Sequence, residues 1–259
     1  MRAHGIQLDI AWENKPTNHE RVRSIIEHHG IAPGGLIVLP ELFDVGFTLS
    51  IDAACDDDGR TLGYLKQLAS DTGCTIHGSR AIRADEPGKA FNCACITFPD
   101  GREPVEYRKV HPFSYGREAE SYNGGDSIGS YDWLAGDDLL AVCPAVCYDL
   151  RFPELFRQGF MQGAGAFVLG ANWPSPRANH WRTLLIARAI ENQGFVMGVN
   201  RCGNDPHLPY AGGSIAIGAK GEVLGELGGG EGVLSVDVDP DAIRAWRAEF
   251  PARMDIRLL

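Results

Sequence analysis

No long hydrophobic run occurs anywhere in these 259 residues, and nothing approaches the length of a membrane span. The stretch from Met1 to Asn14 carries Asp9 among its apolar residues and lacks the hydrophobic core of a secretory leader, so a cytoplasmic protein is expected. Positive charge is also in short supply. Against 34 Asp and Glu there are 24 Lys and Arg, a formal net charge of −10, which argues against a phosphate-backbone partner. The expected partner is a small molecule, with no nucleic acid and no membrane. The seven cysteines (Cys55, Cys74, Cys93, Cys95, Cys143, Cys147, Cys202) are an odd number without a secretory segment, so reduced thiols are expected. Neither Cys93 with Cys95 nor Cys143 with Cys147 has a histidine near it in sequence, and no metal and no cofactor are expected. No linker-like composition divides the chain, which predicts one domain over residues 1–259.

Two sequence patterns fail for want of context. Gly125-Asp126-Ser127-Ile128-Gly129 fits the serine nucleophile elbow in letters, but no strand precedes it and no helix follows it. Gly228-Gly229-Gly230-Glu231-Gly232 lacks the Lys-Ser/Thr of a phosphate loop and reads as a turn.

What is present is an alternation of elements. Gly5 to Trp12 alternates Ile6, Leu8, Ile10 and Trp12 as a strand does, and Thr17 or Asn18 is expected to cap a helix that runs to His29 and ends at Gly30. Leu36 to Leu39 is a continuous apolar run, the mark of a strand covered on both faces, and Glu41 lies just past its end. A helix over about 61–71, strands over 74–82 and 91–98, and a strand ending at Lys109 follow. Residues 111–128 are polar and glycine-rich and read as a long loop of the kind that carries function. Later come helices near 153–162 and 179–193, strands at 166–170, 195–200, 214–217, 222–227 and 232–238, and a last helix from Asp239-Pro240-Asp241. Helix–strand alternation mixed with hairpins predicts an α/β fold with mixed sheets.

The chain is organised around residues 139–156. Leu139 to Val146 reads as a buried strand and Pro153-Glu154 as the first turn of a helix, with Cys147 between them. A thiol at a tight strand-to-helix turn is exposed at the carboxyl end of a sheet, where backbone N–H groups can face a substrate carbonyl. An unperturbed cysteine is only a few per cent thiolate at neutral pH, so a base or a cation must activate it. Glu41 and Lys109, each closing a strand-like run, are the candidates, provided their strands neighbour that of Cys147 over one sheet edge. Taken singly each has an ordinary explanation: a core cysteine, a surface carboxylate, a solvated strand end.

Their joint occurrence carries a resemblance. Cys147-Tyr148-Asp149-Leu150-Arg151-Phe152-Pro153-Glu154 resembles the cysteine motif of the amidase branches of the nitrilase superfamily of carbon–nitrogen hydrolases. Leu39-Pro40-Glu41-Leu42-Phe43, Tyr107-Arg108-Lys109-Val110-His111, Ala171-Asn172-Trp173-Pro174 and Ala187-Arg188-Ala189-Ile190-Glu191-Asn192 resemble that superfamily's other segments, in its order. The resemblance implies a four-layer α-β-β-α sandwich whose helical faces pair subunits into a homodimer or larger homo-oligomer. It implies that Glu41, Lys109 and Cys147 are catalytic, with a second glutamate at Glu118, or Glu120 as the fallback. By charge, Glu41 is the general base and Lys109, with the backbone N–H of Tyr148, the oxyanion holder. Asn172 and Trp173 match residues that line the substrate site in related enzymes. Arg188 and Asn192 share a helix face, and with Glu191 an ion-pair role is expected.

Among amidases the motifs most resemble the ω-amidases of 2-oxo dicarboxylic acid amides. Such a substrate carries a carboxylate, so a cation besides Lys109 is expected in the cavity, from Arg117 or Arg177. N-carbamoyl hydrolases and nitrilases share the triad and are the alternatives, although Cys-Tyr-Asp departs from the Cys-Trp-Glu usual in nitrilases. A non-catalytic scaffold on the same fold is the other class; intact Glu, Lys and Cys speak against it. A desolvated site is expected to push the Glu41 carboxyl above its ordinary range.

Overall fold

Strand β1 (Arg2–Gln7) opens the chain, and the turn after it ends at Asn14, whose side chain accepts from the Thr17 N–H to cap α1 (Lys15–His29). Asn18 is not the cap. Its carboxamide is buried and ties Ala11 to the Asp44 carbonyl (Nδ2–O 2.7 Å to Asp44), a tertiary bond that sequence spacing cannot show. Gly30 ends the helix in the left-handed conformation with φ of 56°, the region where glycine alone avoids a Cβ clash. Then follow β2 (Leu36–Val38), a short α2 (Ile51–Ala54), α3 (Arg60–Thr72), β3 (Thr75–Arg83), β4 (Ala90–Thr97), β5 (Val105–Arg108), β6 (Tyr122–Asn123), β7 (Tyr131–Ala135) and β8 (Asp138–Val146). After β8 come α4 (Pro153–Met161), β9 (Ala166–Ala171), α5 (Ala178–Asn192), β10 (Phe195–Asn200), the hairpin β11 (Cys202–Asn204) and β12 (Pro209–Ala211), β13 (Ile215–Ile217), β14 (Val223–Glu226), β15 (Gly232–Asp237) and α6 (Pro240–Glu249). The structure is a computed structural model describing residues 1–258.

The strands form two mixed sheets, β15-β1-β2-β3-β4-β5 with β6 beside β4, and β14-β13-β10-β9-β8-β7. Period-two alternation sorts each strand's side chains between two cores. Along β2, Leu36 and Val38 enter the core shared with the second sheet, while Ile37 joins Val22, Ile26, Leu65 and Leu68 under α1 and α3. On the far side Phe156 of α4 meets Phe167 of β9, and Trp181 and Leu185 of α5 pack on β10. Helices, sheet, sheet and helices make the four-layer α-β-β-α sandwich that the resemblance implies.

The expected polar loop at 111–128 is partly ordered: two short 3₁₀ turns (Ser114–Gly116 and Glu118–Glu120) and β6 lie within it. The first strand stops at Gln7 rather than Trp12, because the chain bends across to bridge Asp9 with Cys202. The hairpin of β11 and β12, a two-stranded piece outside both sheets, has no clear alternating pattern and is not anticipated. Among the described residues no helix is long and apolar enough to cross a membrane.

Candidate active site

Three chain segments deliver the expected side chains, but not over one sheet edge. Glu41 follows β2 and Lys109 follows β5, with β3 and β4 between them in the first sheet, whereas Cys147 follows β8 in the second. The side chains meet across the seam between the sheets. Gly170 on β9 makes this approach feasible, since a Cβ there would lie 2.4 Å from the Leu39 carbonyl oxygen and 2.7 Å from the Glu41 nitrogen.

Each delivery is built locally. The Ser79 hydroxyl donates to the Pro40 carbonyl (3.1 Å), and Leu42 adopts φ of 42°, turning the chain so that Glu41 points inward, 1% exposed. Lys109 is anchored by its own N–H on the Asn92 carbonyl (2.8 Å). Cys147 has φ of 43°, a left-handed geometry that costs a non-glycine residue on the order of 1 kcal/mol or more and is held by its surroundings. Asp149 is the clamp. It accepts from the Val146 N–H (3.0 Å), the Tyr107 hydroxyl (2.8 Å) and the His111 N–H (3.0 Å), with His111 Nδ1 also at 2.8 Å, so the elbow is bolted to the strand end that carries Lys109. Arg188 adds a second brace through the Leu150 carbonyl (2.7 Å) while pairing with Glu191 (2.8 Å), as the helix spacing suggests.

The charged cluster is buried. Lys109 Nζ donates to Glu41 Oε1 (2.8 Å) and to both oxygens of Glu118 (3.0 and 2.8 Å). Glu118 also accepts from the Phe113 N–H (2.6 Å), and Glu41 Oε2 from the Asn172 N–H (2.9 Å). Burial alone would push the Glu41 carboxyl up, but the Lys109 charge and the hydrogen bonds from Lys109, Asn172 and Asn92 outweigh it and hold Glu41 below its ordinary value. That corrects the sequence expectation of a raised Glu41: desolvation is real, and the paired ammonium overcomes it. Burial likewise opposes the Lys109 charge, yet Glu118 and Glu41 keep the ammonium charged well above its usual range. Burial and then the Glu41 carboxylate push the Cys147 thiol well up, against the pull of Lys109. The resting arrangement is a neutral thiol beside an ionised carboxylate, able to lose its proton as it attacks a carbon electrophile.

Cys147 and Lys109 line a cavity of about 540 Å³ together with Tyr148, Asn172 and Trp173. All seven sequence-predicted residues therefore share one site, five in the cavity wall and Glu41 and Glu118 packed behind it. Glu118 is fully buried on Lys109. Glu120, the fallback, is exposed and pairs with Arg117 (2.7 Å), so neither reaches the cluster. Arg177 lines the cavity with its guanidinium 5.3 Å from the Phe113 ring centre. A second guanidinium in the wall, Arg151, lies 4.9 Å from the Trp173 ring. Sequence reasoning missed Arg151, Asn92 and Asp149 as contributors. A signal existed for Asn92, a carboxamide within the apolar strand 90–97, where an unpartnered amide would be costly. Among the described residues no group of three or more His, Cys, Asp or Glu is placed to hold a metal ion.

Comparison with known proteins bears on the family and the fold. The family model described as carbon-nitrogen hydrolase matches residues 3–248. The chain is 35% identical to a 2-oxoglutaramate amidase of Bacillus subtilis over 97% of its own length and 96% of the relative's. It is 32% identical to the omega-amidase YafV of Yersinia enterocolitica, covering 96% and 94% of the two chains. A Xanthomonas campestris CN-hydrolase superfamily protein, solved with an arsenic adduct in its active site, superposes with a TM-score of 0.92 at 35% identity, covering 100% of this chain and 98% of that one.

Proposed function

The chain belongs to the carbon–nitrogen hydrolase family and is a hydrolase of carbon–nitrogen bonds in non-peptide amides; from that premise we propose that it is a thiol-dependent ω-amidase releasing ammonia from the amide of a 2-oxo dicarboxylic acid. Cys147 Sγ attacks the carboxamide carbon while its proton passes to Glu41. Lys109 Nζ and the Tyr148 N–H hold the resulting oxyanion; one such donor is typically worth roughly 3–4 kcal/mol. Glu41 returns the proton to the nitrogen, the C–N bond breaks, and ammonia leaves a thioester on Cys147. A water then gives a proton to Glu41 and attacks the thioester carbon, the C–S bond breaks as Glu41 passes that proton to the departing sulfur, and the acid leaves with the thiol and the Glu41 carboxylate restored. Lys109 stays an ammonium throughout, and Glu118 balances its second side.

The observation that carries the substrate class is the pair of guanidiniums, Arg151 and Arg177, in the same cavity wall as the thiol. A neutral amide needs neither, whereas a carboxylate at the far end of a dicarboxylic acid monoamide pairs with one. The test is ammonia release from 2-oxoglutaramate, 2-oxosuccinamate, a neutral aliphatic amide, an N-carbamoyl amino acid and a nitrile, beside Cys147→Ala. The two oxo-acid amides should be hydrolysed with the highest kcat/KM and Cys147→Ala should be inert. A preference for the carbamoyl compound or the nitrile overturns the substrate assignment, and a Cys147→Ala protein as active as wild type overturns the mechanism.

A further inference from the structure

Asn92 reaches every part of the cluster from one position. On β4 and 1% exposed, it accepts the Lys109 N–H on its backbone carbonyl (2.8 Å) and donates from Nδ2 to Glu41 Oε1 (2.8 Å) and Glu118 Oε1 (3.0 Å). Lys109 Nζ donates to the same two oxygens, at 2.8 and 3.0 Å. The two carboxylates are thus bridged twice, once by a cation and once by a neutral amide. The flipped carboxamide would set its oxygen against two carboxylate oxygens, so the donor orientation is dictated by the charges. Its own Oδ1 is buried without a hydrogen-bond partner, a cost the sheet carries in order to keep the donor there.

Two carboxylates bound to one ammonium tend to share a proton, and a base that holds a proton cannot take one from a thiol. We propose that Asn92 is a positioning residue for the reaction: its amide closes the second bridge between Glu41 and Glu118, keeping Glu41 unprotonated and facing Cys147. This rests on the reading of Glu41 as the base. The charged and titratable groups facing Glu41 are Lys109 from the end of β5, Glu118 from the 3₁₀ turn, Cys147 from the elbow and Tyr122 from β6, whose phenol burial keeps neutral. Asp44, pushed up to about 6 by burial, bonds the Thr61 hydroxyl rather than Glu41 and is common to every variant, so differences between profiles isolate Asn92.

The experiment is the pH profile of kcat/KM for wild type, Asn92→Ala and the near-isosteric Asn92→Asp, with circular dichroism to confirm folding. Alkylation of Cys147 by iodoacetamide against pH serves as a readout that needs no turnover. The acid limb should rise by about one pH unit in Asn92→Ala, and further in Asn92→Asp where a third carboxylate joins the pair, with KM changed less than about threefold. A merely structural role would lower activity at all pH values alike and leave the limb in place. If folded Asn92 variants keep the wild-type limb in both readouts while Glu41→Gln is inert, the Asn92 inference falls alone. If Glu41→Gln alkylates and turns over like wild type, the base assignment itself falls.

Discussion

Pro40-Glu41-Leu42-Phe43 and Pro153-Glu154-Leu155-Phe156 spell the same four residues in two regions of the molecule, and the two glutamates live in opposite worlds. Pro153 occupies the first turn of α4, Glu154 points to solvent near the helix's positive end, and Leu155 and Phe156 fill the core beneath. Pro40 instead lies two residues past the end of β2, Leu42 takes φ of 42°, and the chain turns back on itself so that Glu41 is driven inward onto Lys109. Identical letters thus yield a solvated carboxylate in one place and an ionised buried one in the other. The backbone state, set by what surrounds each segment, decides which. The same lesson recurs at shorter range in Glu118 and Glu120, and between Arg177 and Arg117.

The sharpest way to break the first comparison is to remove the same charge from both copies. Glu41→Gln keeps the shape and should lower kcat by roughly 10³-fold or more, the loss of base and proton donor together. Glu154→Gln should stay within about twofold, since an exposed carboxylate in a first helical turn contributes only a few tenths of a kcal/mol. The wild-type acid limb of kcat/KM should lie below the ordinary glutamate range, about 4.3, because the held-down Glu41 stays ionised until the pH falls past it. A limb midpoint near 6 would mean that burial prevails over the Lys109 pairing.

The second comparison is milder. Glu118→Gln should cost on the order of 10²-fold in kcat: Lys109 keeps Glu41 but loses a full counter-charge, and the Glu41 oxygen it shares with Asn92 is pulled harder. Glu120→Gln breaks only a surface pair with Arg117, and kinetics run side by side should show less than a twofold change. Equal losses from the two would place the second glutamate wrongly.

How much of this was legible in the sequence follows from the range of the signals involved. The major helices and the long sheet strands announce themselves through periodicity, and Asp239 and Gly30 mark their helix ends by local chemistry. The proposed catalytic set is legible because Glu41, Lys109 and Cys147 stand in motifs that resemble the family's, in its order. What stayed hidden is long-range. Nothing local says that Cys147 meets Glu41 across two sheets rather than along one, that Asn18 is a buried tie rather than a cap, or that Asp149 bolts the elbow to Tyr107 and His111. The direction of the Glu41 shift is hidden for the same reason, since it depends on Lys109, Asn172 and Asn92, three residues from three separate segments whose sum exceeds the desolvation that sequence reasoning can foresee.

Arg177 and Arg117 give the finest comparison, because each sits at the end of a short 3₁₀ turn and both are candidates for the substrate's carboxylate. Arg117 is spent: its guanidinium grips Glu120 outside the cavity. Arg177 lies in the cavity wall beside Phe113, and its carbonyl accepts from Trp173 Nε1 (2.8 Å), which fixes the backbone from which the guanidinium reaches inward. A half-exposed cation paired with a ligand carboxylate is worth about tenfold in affinity, well under the value of a base. The quantity to measure is therefore a ratio, kcat/KM for 2-oxoglutaramate over that for a neutral aliphatic amide. Arg177→Ala should lower it roughly tenfold through KM, and Arg117→Ala should leave it unchanged. A ratio that Arg177→Ala does not move would leave Arg151 as the cation that reads the carboxylate, or remove carboxylate recognition from this wall altogether if Arg151→Ala does not move it either.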